Sequence, residues 1–449
     1  MATIRKRGKT YSVIYYFTNE EGVRKQKWES GLTLQEAKKL KNEIELSQIN
    51  ETFIPPSEKT VSDFLEEWVQ LYGKANWQYG TYTTNLGLIR NHVIPYIGNI
   101  PLQKLTPLDV EKLYATLREK KVGGAKSHRD EEDIPCLSST TIRLIHVMLR
   151  RAITSAVEWT PVSSKPLTCK APKKNETESL IWDAATVARA LRDIKHEQLH
   201  LAVHLSFICS LRIGEAMGLT WDCVSFEKAT ITINKTCQRA SKEAIRALPT
   251  DSLIHVFPTS DENCNSVIVL KKPKTKSSVR TIHITQPLVR ELMLRKQLVA
   301  KEKCFHGKNY QDSNLVFCSE TGQPIEPKLC EKWFKKWMER TEEPFPKIIF
   351  HEIRHSSTTY KLVVSEGDYK SVQADNGHSS ADMTMNLYGH TQEQARVRMM
   401  ERIEADFYPM LDGDFRGAAS AQDKAISLLA ELQNDPVLRQ KVLDALQAG

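Results

Sequence analysis

The stretch HEIRHSS at 351–357 supports two incompatible readings, and the choice between them decides the fold. As H-E-x-x-H on a helix it supplies two imidazoles one turn apart and a Glu base, the pattern of a zinc peptidase. As H-x-x-R-H it sets an imidazole and a guanidinium one turn apart, which suits a phosphate. A second match, HEQLH at 196–200, is followed by His204. A zinc site needs a third ligand and an open coordination position. Asp375 lies at a suitable distance after the first match, and His204 one turn beyond the second. A lone H-E-x-x-H arises by chance, and HEQLHLAVH has a simpler reading as histidines on the surface stripe of an amphipathic helix.

The rest of the chain bears on the choice. Its 449 residues suffice for two or three domains with cores of their own. No apolar run approaches a membrane span, and no apolar segment follows the basic N-terminus as in a secretory signal, so the expected location is the cytoplasm. The nine cysteines form no C-x-x-C pair, which points to reduced thiols rather than a zinc knuckle or a disulfide framework. A net charge of +8 permits nucleic-acid binding without establishing it. The basic residues cluster in IRKRGK, in VRKQK at 23–27 and in VLKKPKTKSSVR at 269–280; each cluster is open to the alternative of a solvated surface.

Along the chain, TYSVIYYF at 10–17 has the β-branched and aromatic content of a strand, and GVRKQKWESG at 22–31 can pair with it. LTLQEAKKLKNEIELSQI then reads as a helix opened by a capping box, Thr33 with Glu36. This unit, 1–50, carries Arg5, Lys6, Arg7, Lys25 and Lys27 near its surface, as a groove-reading sheet or as a structural appendage. A polar linker at 50–59 leads to about four helices over 60–164, with a charged loop at 123–135. A second linker at 165–179 leads to a mixed region, mostly helical. Helices are expected at 184–194, 198–210, 287–302, 328–340, 351–365 and 380–388. Strands are expected near 229–235, 266–271 and 280–285. The tail at 409–449 has two short amphipathic stretches broken at Asp435–Pro436.

Cleaving a phosphodiester requires cations for the non-bridging oxygens, a nucleophile, and an acid for the leaving alkoxide. Arginine suits the first task, since its planar fork matches two phosphate oxygens and its charge is permanent. The chain offers Arg212 in CSLRIGEAMGLTWD, Arg354 in HEIRHSS, His378 in NGHSS, Tyr388 in MTMNLYGH, and lysines in KTKSSVRTIHI. SLRIGEAMGLTWD, HEIRHSSTT, GHSS and NLYGH, in this order, resemble the active-site boxes of the tyrosine recombinases, most closely the integrases of phages and conjugative transposons. The resemblance covers nearly the whole chain to about residue 405.

It implies a multidomain fold: an arm-type DNA-binding domain at 1–50 (a small β-sheet plus a helix), an all-α core-binding domain at 60–164, and a catalytic domain at 180–408. The catalytic domain would be mainly α with a small antiparallel sheet. Carried over by position, Arg212 and Arg354 would clamp the scissile phosphate. His351 and His378 would hydrogen-bond its oxygens and assist proton transfer, and Tyr388 would attack to give a 3′-phosphotyrosyl link. Lys276 would protonate the 5′-oxygen, with Lys274 a close rival. Glu215 would hold the arginine region in place. No metal and no cofactor is implied. Thr81, Tyr82, Thr141 and Arg143, near helix starts, are candidates for backbone contacts with duplex attachment sites. The resemblance further implies a homotetramer on DNA through exchange of C-terminal segments, with an excisionase or directionality factor as a further partner, and no membrane.

Two features depart from the family pattern. Asn376, preceded by Asp375, stands where a leucine is usual, which would loosen packing beside His378. QRASKEAIRALPTDSLIHVFPTSDENC at 238–264 looks like an insertion, either contacting DNA or forming a long surface loop. The rival functions are a zinc metallopeptidase and a catalytically inactive DNA-binding regulator.

Overall fold

The computed structural model describes residues 2–18, 22–50, 53–122, 135–159, 169–171, 180–259, 261, 263–377 and 400, and of Lys276 the backbone alone. The chain forms two compact units, one of Met1–Ser179, Lys235–Lys272 and Lys308–Lys328, the other of Leu180–Asn234, Pro273–Gly307 and Leu329–Gly449.

The first unit begins with an antiparallel sheet of β1 (Thr3–Arg7), β2 (Thr10–Thr18) and β3 (Arg24–Leu32), in that order. Alternation in β2 turns Val13 and Tyr15 inward, where they meet Ala37 and Ile44 of α1 (Leu34–Ile49). The expected capping box starts α1: Glu36 N–H donates to Thr33 Oγ1, and Thr33 N–H donates to Glu36 Oε2.

The helical part follows. α2 (Val61–Trp68) continues through a π-helical turn into α3 (Lys74–Asn76), and α4 (Tyr79–Leu88) through a second such turn into α5 (Ile94–Ile97). α6 (Pro107–Glu119) and α7 (Ser139–Trp159) complete four main helical segments. Threonine–aspartate capping boxes open α2 at Thr60–Asp63 and α6 at Thr106–Asp109, where Pro107 takes the first helical position. Phe64, Leu65, Trp68, Ile89, Leu113, Tyr114, Ile142 and Ile145 are fully buried between these helices.

Next come α8 (Ala184–Asp193), α9 (Glu197–Ile208), α10 (Ile213–Met217), β4 (Val224–Ser225) and β5 (Thr230–Ile233). β6 (Thr236–Ser241), α11 (Lys242–Ala247), β7 (Leu253–Val256) and β8 (Ser266–Lys271) follow, then β9 (Arg280–His283), α12 (Gln286–His306), α13 (Pro327–Met338), α14 (Phe350–Val364) and α15 (Tyr369–Asn376). β4, β5 and β9 form one antiparallel sheet, and β6, β8 and β7 another, with β8 central. The second unit packs Trp182 against Phe334 and Phe345, with ring centroids 5.8 and 5.4 Å apart. The helix expected at 380–388 lies outside the described residues.

The segment 238–264 is not a loose loop. It builds β6, α11 and β7 and joins the helical core of the first unit, where Ala240, Ala244, Leu248, Val267 and Val269 pack with the helix residues. Polar contacts add to this: Thr83 and Ser241 hydroxyls lie 2.9 Å apart, Tyr79 donates to Pro249 O, and Arg90 grips Glu243 with two bonds of 3.0 and 3.2 Å.

Candidate active site

In the second unit the first two boxes converge on one carboxylate. Glu215, in α10, is 4% exposed. Its carboxylate accepts from Arg212 Nη1 at 2.8 Å and from Arg280 Nη2 at 2.9 Å, and lies 3.8 Å from Arg354 Nη1. Three guanidiniums thus share one negative charge, leaving the cluster net cationic. Burial works against the Glu215 anion. The hydrogen bond and charge of Arg280, with the charges of Arg212 and Arg354, nonetheless hold its pKa below the usual range.

Arg212 precedes the first turn of α10, and Glu215 reaches back to its backbone N–H at 3.1 Å. The Arg212 side chain is 36% exposed, whereas that of Arg354 is 3% exposed, so Arg212 is the member that solvent and an incoming anion reach first. Arg354 is fixed by backbone carbonyls: Nη1 donates to Ser210 O and Nη2 to Asn376 O. Ser210 has φ +51°, a left-handed conformation unusual for a residue with a Cβ, and it turns that carbonyl toward Arg354. Its hydroxyl lies 2.7 Å from Ser357 Oγ on α14.

The loosening expected from Asn376 concerns packing beside His378, which lies outside the described residues; Asn376 itself is held. The side chain is fully buried, its Nδ2 donates to Thr358 Oγ1 at 3.0 Å, and its carbonyl is the one that Arg354 binds. An amide here ties the approach to His378 onto α14, which a leucine cannot do.

His351 stands in the first turn of α14. Desolvation of the ring, then the charges of Arg354 and Arg212, push its pKa down, which leaves the imidazole neutral at pH 7. His355 is driven down to about 4 by burial, His351 and Arg354. The two rings pack edge to face, 4.9 Å between centroids. Glu352 accepts the Ile349 N–H at 2.6 Å and so caps the helix. Among the described residues no group of three or more His, Cys, Asp or Glu side chains could hold a metal ion.

Lys276 begins a short 3₁₀ turn, Lys276–Ser278. Gly377, with φ +61°, closes α15 against this turn: a Cβ there would lie 3.0 Å from Ser277 O and 3.1 Å from Arg280 Nη1. The residue just before His378 is thereby set beside the lysine turn. His378 and Tyr388 themselves lie outside the described residues.

Arg280 escaped the sequence reading, which took its neighbourhood as a basic cluster. The available signal was phase. Arg280 and Ile282 alternate on the buried side of β9, with Ile284 just beyond it in the same phase, so the arginine belongs to the interior.

The second H-E-x-x-H differs from its expected surface stripe. His200 and His204 are partly buried and point Nδ1 at the two oxygens of Glu291 in α12, both at 2.6 Å. The bond to Glu291 raises the His200 pKa. Burial opposes the Glu291 anion, but both histidines pull its carboxyl down to about 2. His196 caps α9 and stacks on Trp333.

In the first unit, strand alternation sorts the basic residues of the N-terminal sheet. Arg5 and Arg7 stand opposite Ser12 and Thr10, on the face bearing Tyr16, Gln26 and Trp28. Arg24 joins this face and was not singled out from sequence. Arg7 lies over the Trp28 ring and Arg24 over the Tyr16 ring, each at 4.7 Å. Lys6, Lys25 and Lys27 alternate to the other side, opposite Tyr11, Phe17 and Tyr15. Thr81 and Arg143 are exposed on their helices. The Thr141 hydroxyl lies 2.9 Å from Ser138 Oγ at the start of α7. Tyr82 is a correction: it is 3% exposed and packs edge to face on Trp77, so it belongs to the core rather than the surface.

Comparison with known proteins agrees with this geometry. The profile of the phage integrase family matches residues 173–395, and that of the phage integrase N-terminal SAM-like domain matches 60–118. A XerC-like tyrosine recombinase from Caldanaerobacter subterraneus is 24% identical over 386 residues, 83% of this chain and 90% of that protein. The ICEBs1 integrase of Bacillus subtilis is 19% identical over 327 residues, 72% and 77% of the two chains. The Tn1549 transposon integrase, solved with a circular intermediate DNA, superposes with a TM-score of 0.58 at 19% identity, covering 77% of this chain and 99% of that one. No described helix is long and apolar enough to cross a membrane. With two of its four boxes meeting at one buried carboxylate and both family profiles matched, the chain belongs to the phage integrase family of tyrosine recombinases, enzymes of site-specific DNA strand breakage and rejoining.

Proposed function

We propose that this chain integrates and excises a mobile element or phage genome by cutting and rejoining duplex attachment sites through Tyr388. Arg212 and Arg354 bind the non-bridging oxygens of the scissile phosphate. The Tyr388 oxygen attacks phosphorus, its proton passing to the imidazole of His351 or His378. The bond from phosphorus to the 5′-oxygen breaks; that oxygen keeps the electron pair and takes a proton from Lys276. The 3′-phosphotyrosyl ester retains the bond energy, and the reverse steps with a second strand rejoin the DNA. The observation that carries this reading is the convergence of Arg212 and Arg354 on Glu215. Positive charge fixed before the phosphate arrives stabilises the extra charge of the transition state without reorganisation. The arginines and the lysine supply the cations, so the chemistry asks for no cofactor.

On this reading the exposed face of Arg5, Arg7 and Arg24 meets arm-site DNA. Thr81, Thr141 and Arg143 meet the core-site backbone, with Lys6, Lys25 and Lys27 at the sheet margin. The chain works in the bacterial cytoplasm as a homotetramer on paired sites through exchange of C-terminal segments, with an excisionase or directionality factor setting direction. The zinc reading of HEIRH loses ground because Glu352 is committed to capping and His351 faces cations.

The test uses nicked suicide substrates drawn from candidate attachment sites, with EDTA present. A covalent protein–DNA band on a denaturing gel that Tyr388→Phe abolishes is the expected result. A cognate site bound tightly with no adduct would overturn the catalytic assignment and leave a DNA-binding regulator.

A further inference from the structure

We infer that Arg280 is a positioning residue for the leaving-group acid: it fixes the lysine turn against the carboxylate that orders the phosphate-binding arginines. This rests on the reading above that a lysine of that turn protonates the 5′-oxygen.

The turn has little packing of its own. Thr275 and Ser277 are exposed, and Val279 is 50% exposed. Local bonds shape it: Ser278 N–H donates to Thr275 O at 3.1 Å, and the Thr275 hydroxyl lies 3.1 and 2.8 Å from those of Ser277 and Ser278. None of these ties it to the protein interior. Arg280 does, since its Nη1 donates to Ser278 O at 3.1 Å while the guanidinium itself is buried. The same planar group grips both Glu215 oxygens, at 3.3 and 2.9 Å, and donates from Nε to Asp375 O at 2.6 Å. It also abuts Gly377. One rigid fork therefore holds three segments in register: the lysine turn, the carboxylate shared by Arg212 and Arg354, and the approach to His378. A lysine at 280 would still give Glu215 a positive charge, but its single ammonium lacks the geometry to bond all three segments at once.

Proton donation to the leaving oxygen is sensitive to such placement, since a shift on the order of 1 Å costs about 10²-fold in rate. The consequence is specific to the leaving group. A substrate with sulfur in place of the bridging 5′-oxygen departs as a thiolate, which needs no proton because a thiol ionises near pH 8.5, about the pH of the assay.

The experiment measures single-turnover cleavage of oxygen- and sulfur-bridged suicide substrates by the full-length wild type, Arg280→Lys, Lys276→Ala and Lys274→Ala. Thermal melts check that each variant is folded. Arg280→Lys is expected to slow about 10²-fold on the oxygen substrate and to stay within roughly threefold of wild type on the sulfur substrate. Arg280→Lys cleaving the oxygen substrate at near the wild-type rate would overturn the proposal. So would equal slowing on both substrates, which marks a general distortion of the phosphate site. The lysine variants test the underlying reading separately. Whichever is rescued by sulfur is the acid; rescue of neither removes the lysine-acid reading, and the role of Arg280 with it.

Discussion

Two carboxylates in the second unit, Glu215 buried and Glu291 partly exposed, invite comparison. Glu215 faces three arginines, and Glu291 faces two histidines. Each lies beside one of the two H-E-x-x-H matches, and among the described residues neither match belongs to a group of three side chains that could hold a metal ion. The difference lies in the permanence of the partner charge. Arginine cannot shed its proton, so Glu215 has compulsory partners and the cluster keeps a fixed excess of positive charge. Histidine can, so the grip of Glu291 depends on pH. A phosphate site needs the first kind of construction. The second suits a structural tie between α9 and α12.

Removing each carboxylate gives the largest test. Glu215→Gln leaves Arg280 and Arg354 buried against a neutral amide, and stability in a urea titration is expected to fall by about 3–5 kcal/mol, with cleavage lost. Glu291→Gln is expected to cost about 1.5–3 kcal/mol, because its histidines can neutralise instead. Equal costs would erase the distinction.

A pH series sharpens it. The His355 pKa is depressed to about 4 in the folded protein. The unfolded chain therefore takes up its proton first as pH falls through about 6.5, and stability drops by roughly 3 kcal/mol by about pH 4. His355→Gln should remove that slope. The Glu291 cluster runs the other way on its basic side. The raised His200 pKa contributes stability that is present below about 6.5 and lost as pH rises through the folded value. The lowered Glu291 pKa contributes stability that is present above about 4.5 and lost as pH falls toward about 2. The difference between wild type and Glu291→Gln is thus expected to be greatest near pH 5–6 and to shrink by pH 9, whereas that for Glu215→Gln stays level over the same range. A Glu291 difference that also stays level would mean that His200 does not titrate against it.

The smallest effects belong to the exposed arginines. Arg7→Ala and Arg24→Ala are each expected to change stability by less than about 0.5 kcal/mol. Each should lower the salt slope of arm-site binding by about 0.9, the share of one phosphate contact. Tyr82→Phe, a core substitution, should leave that slope unchanged.

Much of this was legible from the sequence because motif and element coincide. Arg212 and Arg354 were found through their boxes, and Thr33–Glu36 announced α1 through its capping spacing. What stayed hidden was set by distant partners. Glu291 lies 91 residues from His200, and no local pattern pairs them. Arg280 sat in a basic cluster whose Lys272 and Lys274 do face solvent, and its strand phase was the single cue to burial. Tyr82 was read as a surface group because a tyrosine near a helix start fits either face, and Trp77 settled which. The segment 238–264, open from sequence between a DNA-contacting insertion and a long surface loop, hid its strands because they are short and pair through β8, beyond its own end.

Ser210 carries one more consequence. Its left-handed backbone is where a protein engineer would place glycine for added heat resistance, relieving about 1 kcal/mol of strain. Here the side chain that glycine discards is the one bound to Ser357, and the loosened carbonyl is the one holding Arg354. The position is therefore a poor target for thermostabilisation: a variant that survives hotter storage would hold Arg354 less firmly, and, on the proposed role of Arg354, endurance would rise as turnover fell.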